Sequence, residues 1–269
     1  MADQTNEKNL RRKDLEEKFK DGTIPKEADF KSLINSMINK QDDGFSKDEN
    51  NGFEIKITKP KSKKFISLYK DLNSPEVFFS IEKDDHGTAL ILNPLGDDDE
   101  ADMIGNESIE DSALHKSFYF DTEGKLGIGK MPEDHMKLEV EGFVGMRGRV
   151  GTYKIGVAEA NGRWQPIIEG LSNCKAFEVV ARAGKVNTGK FALLHATALA
   201  TFGPKKSRIR KSSAHYGWFW NNINLKWMGN TKNYSLMIRT NSNFGHNTKI
   251  VYRITQLWDD DLFVDKEFK

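Results

Sequence analysis

The stretch from Phe120 to Gly142 constrains the fold most. In Phe120-Asp-Thr-Glu-Gly-Lys-Leu-Gly-Ile-Gly-Lys130 and Lys137-Leu-Glu-Val-Glu-Gly142, apolar Leu126, Ile128, Leu138 and Val140 recur at every second position. That is the spacing of strands with one buried face. Glycine and the Met131-Pro132 breaker set the turns. Thin hairpins of this kind bury too little surface alone, because an isolated two-stranded ribbon is marginal in water. Identical copies wrapped round a shared axis solve the problem, so the stretch predicts a fibrous, oligomeric chain that presents a surface. Gly142, Gly145, Gly148 and Gly151 follow at every third position, without the proline or the length of a collagen helix. With Gly127 and Gly129 they are expected to form a neck where three backbones approach closely. Arg147 and Arg149 then need an outward or a paired position.

Upstream, residues 9–20 read as a short charged helix with Leu15 and Phe19 four apart and a Glu16–Lys20 pair. Asp21-Gly22 ends it. Thr23-Ile24-Pro25 is expected to open a second helix with proline in its first turn, and Glu27 and Asp29 near its positive end. Phe30, Leu33, Ile34, Met37 and Ile38 form one apolar stripe that runs to the stop at Gln41-Asp42-Asp43-Gly44. A helix pair of this size cannot bury that stripe itself. Either it packs on its own body or, as preferred here, it docks between protomers or onto a larger assembly.

From residue 53 the period changes to two. Phe53, Ile55 and Ile57 alternate with polar residues, as do Val77, Phe79 and Ile81, and Ala89-Leu-Ile-Leu92 reads as a more buried strand. Turns are expected at Lys59-Pro60, Asn73-Ser74-Pro75 and Asp84-Asp85-His86-Gly87. The acidic run Asp97–Glu100 with Asp102 has calcium-type donors but not the spacing of an EF-hand loop, and a solvated loop is favoured. Beyond residue 153, alternation at 177–181, 222–227, 234–238 and 250–254 predicts a sandwich or jelly roll. The whole is thus expected to be mostly β: short N-terminal helices (1–45), a β-rich middle (46–115), a glycine-rich trimeric neck (116–152) and a C-terminal β-sandwich or jelly-roll-like domain (153–269).

Candidate chemistry is sparse. The single Cys174 excludes an internal disulfide and reads as a small buried residue beside Phe177. No histidine pair has zinc spacing, and His195 reads as a hydrogen-bonded core residue. Asp259, Asp260 and Asp261 read as solvated acids rather than a glycosidase pair. No nucleophile-elbow or phosphate-binding loop occurs. The expectation is therefore a non-enzyme with no catalytic residues, metal or cofactor. Basic Lys205, Lys206, Arg208 and Arg210 precede aromatic Tyr216, Trp218 and Trp220. This combination suits a single strand of nucleic acid, an anionic glycan or lipid surface, or a charged hairpin beside core aromatics. Nucleic acid is disfavoured by a net charge of +1 and the lack of a base-reading motif. Flat indole and phenol rings suit sugar stacking, whereas each Trp read as core filler is the competing reading, and the strand pattern assigns Trp227 to the core. The polar N-terminus carries no secretion signal and no apolar run is long enough to span a membrane. Synthesis in a cytoplasm, with release by lysis or inside an assembled particle, is expected.

Three segments carry a resemblance. "LGIG" followed by "KLEVEGFV" resembles the shaft repeats of bacteriophage tail fibres and related adhesins. "LEEKFKDGTIPKEADFKSLINSMINKQDDG" resembles the N-terminal module of fibres encoded with phage-tail-like contractile injection systems, matching at Phe19, Gly22, Pro25, Phe30, Leu33, Ile34, Ser36, Asn39, Lys40 and Asp42-Asp43-Gly44. "WQPIIEGLSNCKAFEVVARAGK" with "HYGWFWNNINLKWMG" resembles the adhesin-like domain at the tips of such fibres. The resemblance implies a homotrimeric fibre or baseplate-decorating component that contacts baseplate or tail proteins and turns its C-terminal domain outward to a cell-surface receptor, for which the aromatic rings make a cell-surface glycan one candidate. A cage or collar bracing the baseplate, and a free-standing trimeric lectin, are the alternatives.

Overall fold

A computed structural model describes residues 11–39, 42–59, 61–71, 76–94, 116–245 and 247–264. The acidic run at 97–102, the turn at 73–75 and Pro60 lie outside the described residues. The chain divides into two compact units, Met1–Val144 and Gly145–Lys269.

In the first unit, α1 spans Arg12–Lys18 and α2 spans Glu27–Asn35. The second helix starts later than expected. Pro25 precedes its N-cap, Lys26, whose N–H donates to Asp29 Oδ2 at 2.9 Å. Asp29 also joins Lys18 at 2.8 Å, and the Phe19 and Phe30 rings meet edge-on at 5.4 Å, which closes the helix pair. Hydrogen bonding from Lys18 and Lys26 holds the Asp29 carboxyl below its usual range. Met37 and Ile38 fall beyond the helix end, and Phe30, Ile34, Met37 and Ile38 are each more than half exposed.

Strands β1 (Phe45–Asp48) and β2 (Gly52–Ile55) form a hairpin, with Phe45 and Phe53 stacked at 5.7 Å. A six-stranded sheet follows in chain order: β3 (Lys64–Tyr69), β4 (Val77–Lys83), β5 (Ala89–Pro94), β6 (Phe118–Asp121), β7 (Leu126–Ile128) and β8 (Leu138–Val140). Strand β5 is less buried than its sequence suggests, since Ala89 is enclosed while Leu90 is exposed. The two short strands are not a hairpin. β7 pairs antiparallel with β6 and parallel with β8, with Leu126 beside Leu138 and Ile128 beside Val140. The intervening loop makes this possible by folding back over β7. A Cβ at Gly127 would strike the Lys130 carbonyl oxygen and lie 2.9 Å from Pro132 Cδ. Glu139 fastens the loop, accepting from the Glu133 N–H at 2.8 Å and pairing with Lys130 at 2.7 Å.

The second unit is a two-sheet sandwich. Its strands are β9 (Lys154–Glu159), β10 (Gln165–Leu171), β11 (Cys174–Gly184), β12 (Phe191–Thr201), β13 (Arg208–Tyr216), β14 (Ile223–Gly229), β15 (Tyr234–Thr240) and β16 (Lys249–Asp259), closed by a short α3 (Asp260–Phe263). One sheet runs β13-β12-β11-β16-β9 and the other β10-β15-β14, all antiparallel. Inward residues of β12 are small (Ala192, Ala196, Ala198, Ala200, with Leu194), and the large rings come from elsewhere. Trp227 lies 6.5 Å from Phe177 and 5.5 Å from Tyr234. Ile223 and Trp227 are buried, as the strand pattern requires.

Three expectations about single residues change. His195 faces outward, because Leu194 and Ala196 take the inward positions, and its Nε2 sits 2.9 Å from Glu178 Oε1. Glu178 also receives Arg149 at 2.5 Å, so that arginine is the paired kind. Cys174 is half-buried rather than enclosed, and burial with the nearby Asp260 carboxylate pushes its thiol pKa up. The acids at 259–261 are structural. Asp259 pairs with buried Lys175, Asp260 accepts from the Cys174 N–H at 2.9 Å, and Asp261 lies 3.6 Å from Lys175.

Two predictions follow from these contacts. Asp259→Ala leaves the buried Lys175 ammonium with the more distant Asp261 alone, and should lower unfolding free energy by about 3 kcal/mol. Chemical denaturation measures this, and a loss near zero would show that the pair is not stabilising. At the β4–β5 turn, burial pulls the Asp84 pKa upward. Bonds from the Ala89 N–H, the Thr88 hydroxyl and the Thr88 N–H outweigh it, lowering the pKa to about 2. The folded pKa is depressed, so this turn contributes stability above the usual carboxylate pKa of about 4, and that contribution is lost as pH falls through about 2. Carboxyl-carbon NMR should find Asp84 titrating near that lower value.

Candidate functional site

The site grows from the end of β13. Gly217, at φ +89°, turns the chain away from the sheet. A side chain there would meet the Gly189 carbonyl oxygen at 2.5 Å and Asn221 Nδ2 at 2.8 Å. Trp218-Phe219-Trp220 then make a tight turn, with the Asn221 N–H donating to the Trp218 carbonyl at 2.9 Å. Asn221 itself is buried. Its amide donates to the Tyr216 carbonyl at 3.2 Å, and its oxygen accepts from Ser242 Oγ at 3.3 Å. Asn222 Nδ2 adds a bond to the Phe219 carbonyl at 2.6 Å. Amides thus hold the backbone, and the rings point away from the core.

Those rings form an exposed ledge. Tyr216, Trp218 and Phe219 are about two-thirds exposed (67, 65 and 70%), and Trp220 is 44% exposed. Trp218 and Trp220 stack with centroids 5.0 Å apart and planes 6° from parallel. Phe219 meets Trp220 edge-on at 4.5 Å, which leaves Trp218 with the more open outer face. Core filling is therefore not the role of Tyr216, Trp218 or Trp220. Beside the ledge, a recess of about 250 Å³ is lined by Arg182, Phe191, Leu193, Ala214, His215 and Tyr216. The Arg182 guanidinium lies over the Phe191 ring at 5.6 Å. Flat apolar faces beside a cationic donor can stack a sugar ring and hold a polar or acidic substituent.

The basic candidates are elsewhere. Lys205 and Lys206 lie in the β12–β13 turn, and Arg208 and Arg210 at the start of β13. Tyr216 is at the strand's other end, eight residues on from Arg208 and hence about 26 Å away. The two groups do not form one site. Sequence reading also missed Trp164, whose ring has both Lys226 Nζ and Arg239 Cζ over it, each 4.5 Å from its centroid. Lys226 and Arg239 come from adjacent strands, so no linear motif marks them. Among the described residues, no group of three or more His, Cys, Asp or Glu side chains is placed to hold a metal ion. No described helix is long and apolar enough to cross a membrane.

Of the expected neck glycines, Gly127 answers to the loop above it, and Gly129 and Gly142 adopt positive φ. Gly151 is pressed against Ile254, where a Cβ would lie 2.6 Å from the carbonyl carbon. Gly145 and Gly148 answer to neither demand, since a Cβ at either meets nothing within 4 Å.

No family model matches the chain, and no curated protein does. Among solved structures it is similar to phage tailspike proteins. One is the tailspike protein gp49 of Acinetobacter baumannii bacteriophage Fri1, a capsular polysaccharide depolymerase, at 10% identity and TM-score 0.23. That match covers 68% of this chain and 22% of the tailspike. Another is the tailspike protein of Acinetobacter phage vB_ApiP_P1, at 12% identity and TM-score 0.25, covering 48% of this chain and 28% of that one. The chain thus spans well under a third of either tailspike. The reading of this chain as a non-enzyme is corrected by this finding, because one of the solved chains it is similar to is an enzyme. That reading rested on missing linear motifs, and a pair of glycan-cleaving carboxylates is defined by a distance across a surface.

The geometry separates ledge from core by experiment. Trp218→Ala should leave the thermal midpoint nearly unchanged, whereas Trp227→Ala should cost about 3–5 kcal/mol as a large-to-small core change. Equal losses from both would place Trp218 in the core.

Proposed function

We propose that this chain is a homotrimeric, surface-binding component of a contractile phage-tail-like particle. Its second unit binds a cell-surface polysaccharide through the ledge of Tyr216, Trp218 and Trp220. The observation that carries the reading is the stacked, outward-facing Trp218–Trp220 pair held by a buried asparagine. Four adjacent exposed aromatic rings are costly to leave in water, and a contiguous apolar patch of this kind marks a binding surface. Sugar faces match it better than a flat protein surface does, since the ledge is narrow and adjoins a recess with an arginine. The capsular polysaccharide named for the Fri1 tailspike is one ligand of this class. The contractile particle rests on the resemblance of the N-terminal segment, where Phe19, Phe30, Leu33, Ile34, Met37 and Ile38 are the proposed attachment residues.

Titration of the full chain against purified capsular polysaccharides tests the ligand. Binding should appear for at least one, and Tyr216→Ala with Trp218→Ala should weaken it at least about tenfold, or 1.4 kcal/mol. Arg208→Gln with Arg210→Gln, at the far end of β13, should leave it within about twofold. Binding that survives loss of the two rings overturns the ledge as the site. Removal of residues 1–45 should abolish incorporation into the particle while the second unit keeps its melting transition. Normal incorporation would refute the attachment role.

A further inference from the structure

The outer face of the three-stranded sheet holds two cations that no carboxylate neutralises. Leu236, Ile238 and Thr240 of β15 are buried in the sandwich, so Arg239 turns outward. Ile223 and Trp227 of β14 are buried likewise, which sends Asn224 and Lys226 to the same outer face. Register brings the pieces together. Asn224 lies opposite Arg239, with Lys226 two positions on, and Trp164 directly precedes Gln165, the partner of Ile238. Both charges sit 4.5 Å from the Trp164 ring centroid, and all three residues are half-buried. Other cations of this unit meet acids: Lys175 pairs with Asp259, Arg149 with Glu178 and Lys249 with Glu159. Among the described residues, Lys226 and Arg239 have no such partner, and the enclosed Nε of Arg239 makes no hydrogen bond.

We propose that Trp164, Lys226 and Arg239 form an anion subsite that takes the carboxylate of an acidic sugar unit. The inference rests on the polysaccharide reading for its ligand and deepens it, from a polysaccharide to an acidic one. Two positive charges held over one ring repel each other, and an anion seated on them removes that repulsion. The indole already holds both cations, so less side-chain freedom is lost when a ligand arrives. A guanidinium whose Nε is shut in still offers terminal N–H groups, and these match the two oxygens of a carboxylate. The cluster also connects with the aromatic ledge. Asn222, whose amide donates to the Phe219 carbonyl, is followed by Asn224 and Lys226 at every second position along β14. Four residues of extended chain put Lys226 roughly 13 Å from Asn222. Asn224 accepts from Lys211 and donates to Asn241 Oδ1, which lines the way with amides and a further cation. A saccharide chain stacked on Trp218 therefore reaches the paired cations within a few units, along a face of hydrogen-bonding groups.

Nitrogen-15 NMR of the full chain tests this with glucuronate, compared with glucose and with inorganic phosphate. Glucuronate should shift the Trp164 indole and Arg239 Nε–H resonances saturably, while glucose at the same concentration should not. This titration uses the parent chain and so does not depend on any variant folding. Read at Trp164, Lys226→Gln with Arg239→Gln should weaken the glucuronate response at least about tenfold. Tyr216→Ala with Trp218→Ala should leave that response unchanged, so failure of the ledge and failure of the subsite give different results. No shift with glucuronate overturns the subsite. Equal shifts with glucose show that charge is not read there, and likewise refute it. Phosphate binding as tightly as glucuronate makes the cluster a general anion site and overturns its assignment to a sugar carboxylate. A chain that binds glucuronate here but no polysaccharide keeps the subsite and refutes the ledge reading alone.

Discussion

Everything the second unit presents depends on how closely its two sheets approach. Four alanines on β12 leave room above them, and the rings of Phe177, Trp227 and Tyr234 fill it. Large residues set against small ones give an interdigitated core at ordinary packing density. Strands β11, β12 and β16 each run for eleven residues along that core. A long, rigid sheet of this kind can carry an exposed aromatic turn at its end without the turn collapsing inward. Asn221 completes the arrangement, since its amide satisfies the backbone beneath the ledge and leaves the rings no polar reason to fold back.

Much of this architecture was legible as alternation. In β14 the odd positions Ile223, Leu225 and Trp227 face the core as the period of two demands, and the sandwich follows from several such strands. The hairpin reading of β7 and β8 fails for a physical reason. Sequence shows that Leu126 and Leu138 share a periodicity, but the direction of pairing depends on the path of the loop between them. That path is set by Gly127, Pro132 and Glu139 acting together. His195 was placed inside because its neighbours are apolar, and alternation along β12 sends it outward to Glu178. The acids at 259–261 looked solvated because their partner, Lys175, lies 84 residues away in sequence.

The site shows the same division. Tyr216, Trp218 and Trp220 were visible as a cluster, and Gly217 marked the turn that exposes them. Sequence proximity to Lys205–Arg210 suggested one mixed surface, yet an extended strand separates residues far more than a helix of equal length does. At about 3.3 Å per residue, β13 carries charge and aromaticity to opposite ends of the sandwich. Trp164 escaped notice because the two cations around it belong to different strands.

The position of β13 gives its basic residues a separate significance. It is the outermost strand of the five-stranded sheet, and nearly all of its residues are open to solvent. Its outer edge therefore offers a row of unsatisfied N–H and C=O groups, a template that another strand could extend into a continuous sheet. Arg208, Arg210 and Lys211, with Lys205 and Lys206 just before them, line this edge with charge of one sign. When two copies of this edge meet, these cations repel. The charge that keeps this edge apart from its like is thus carried on the strand that most needs it.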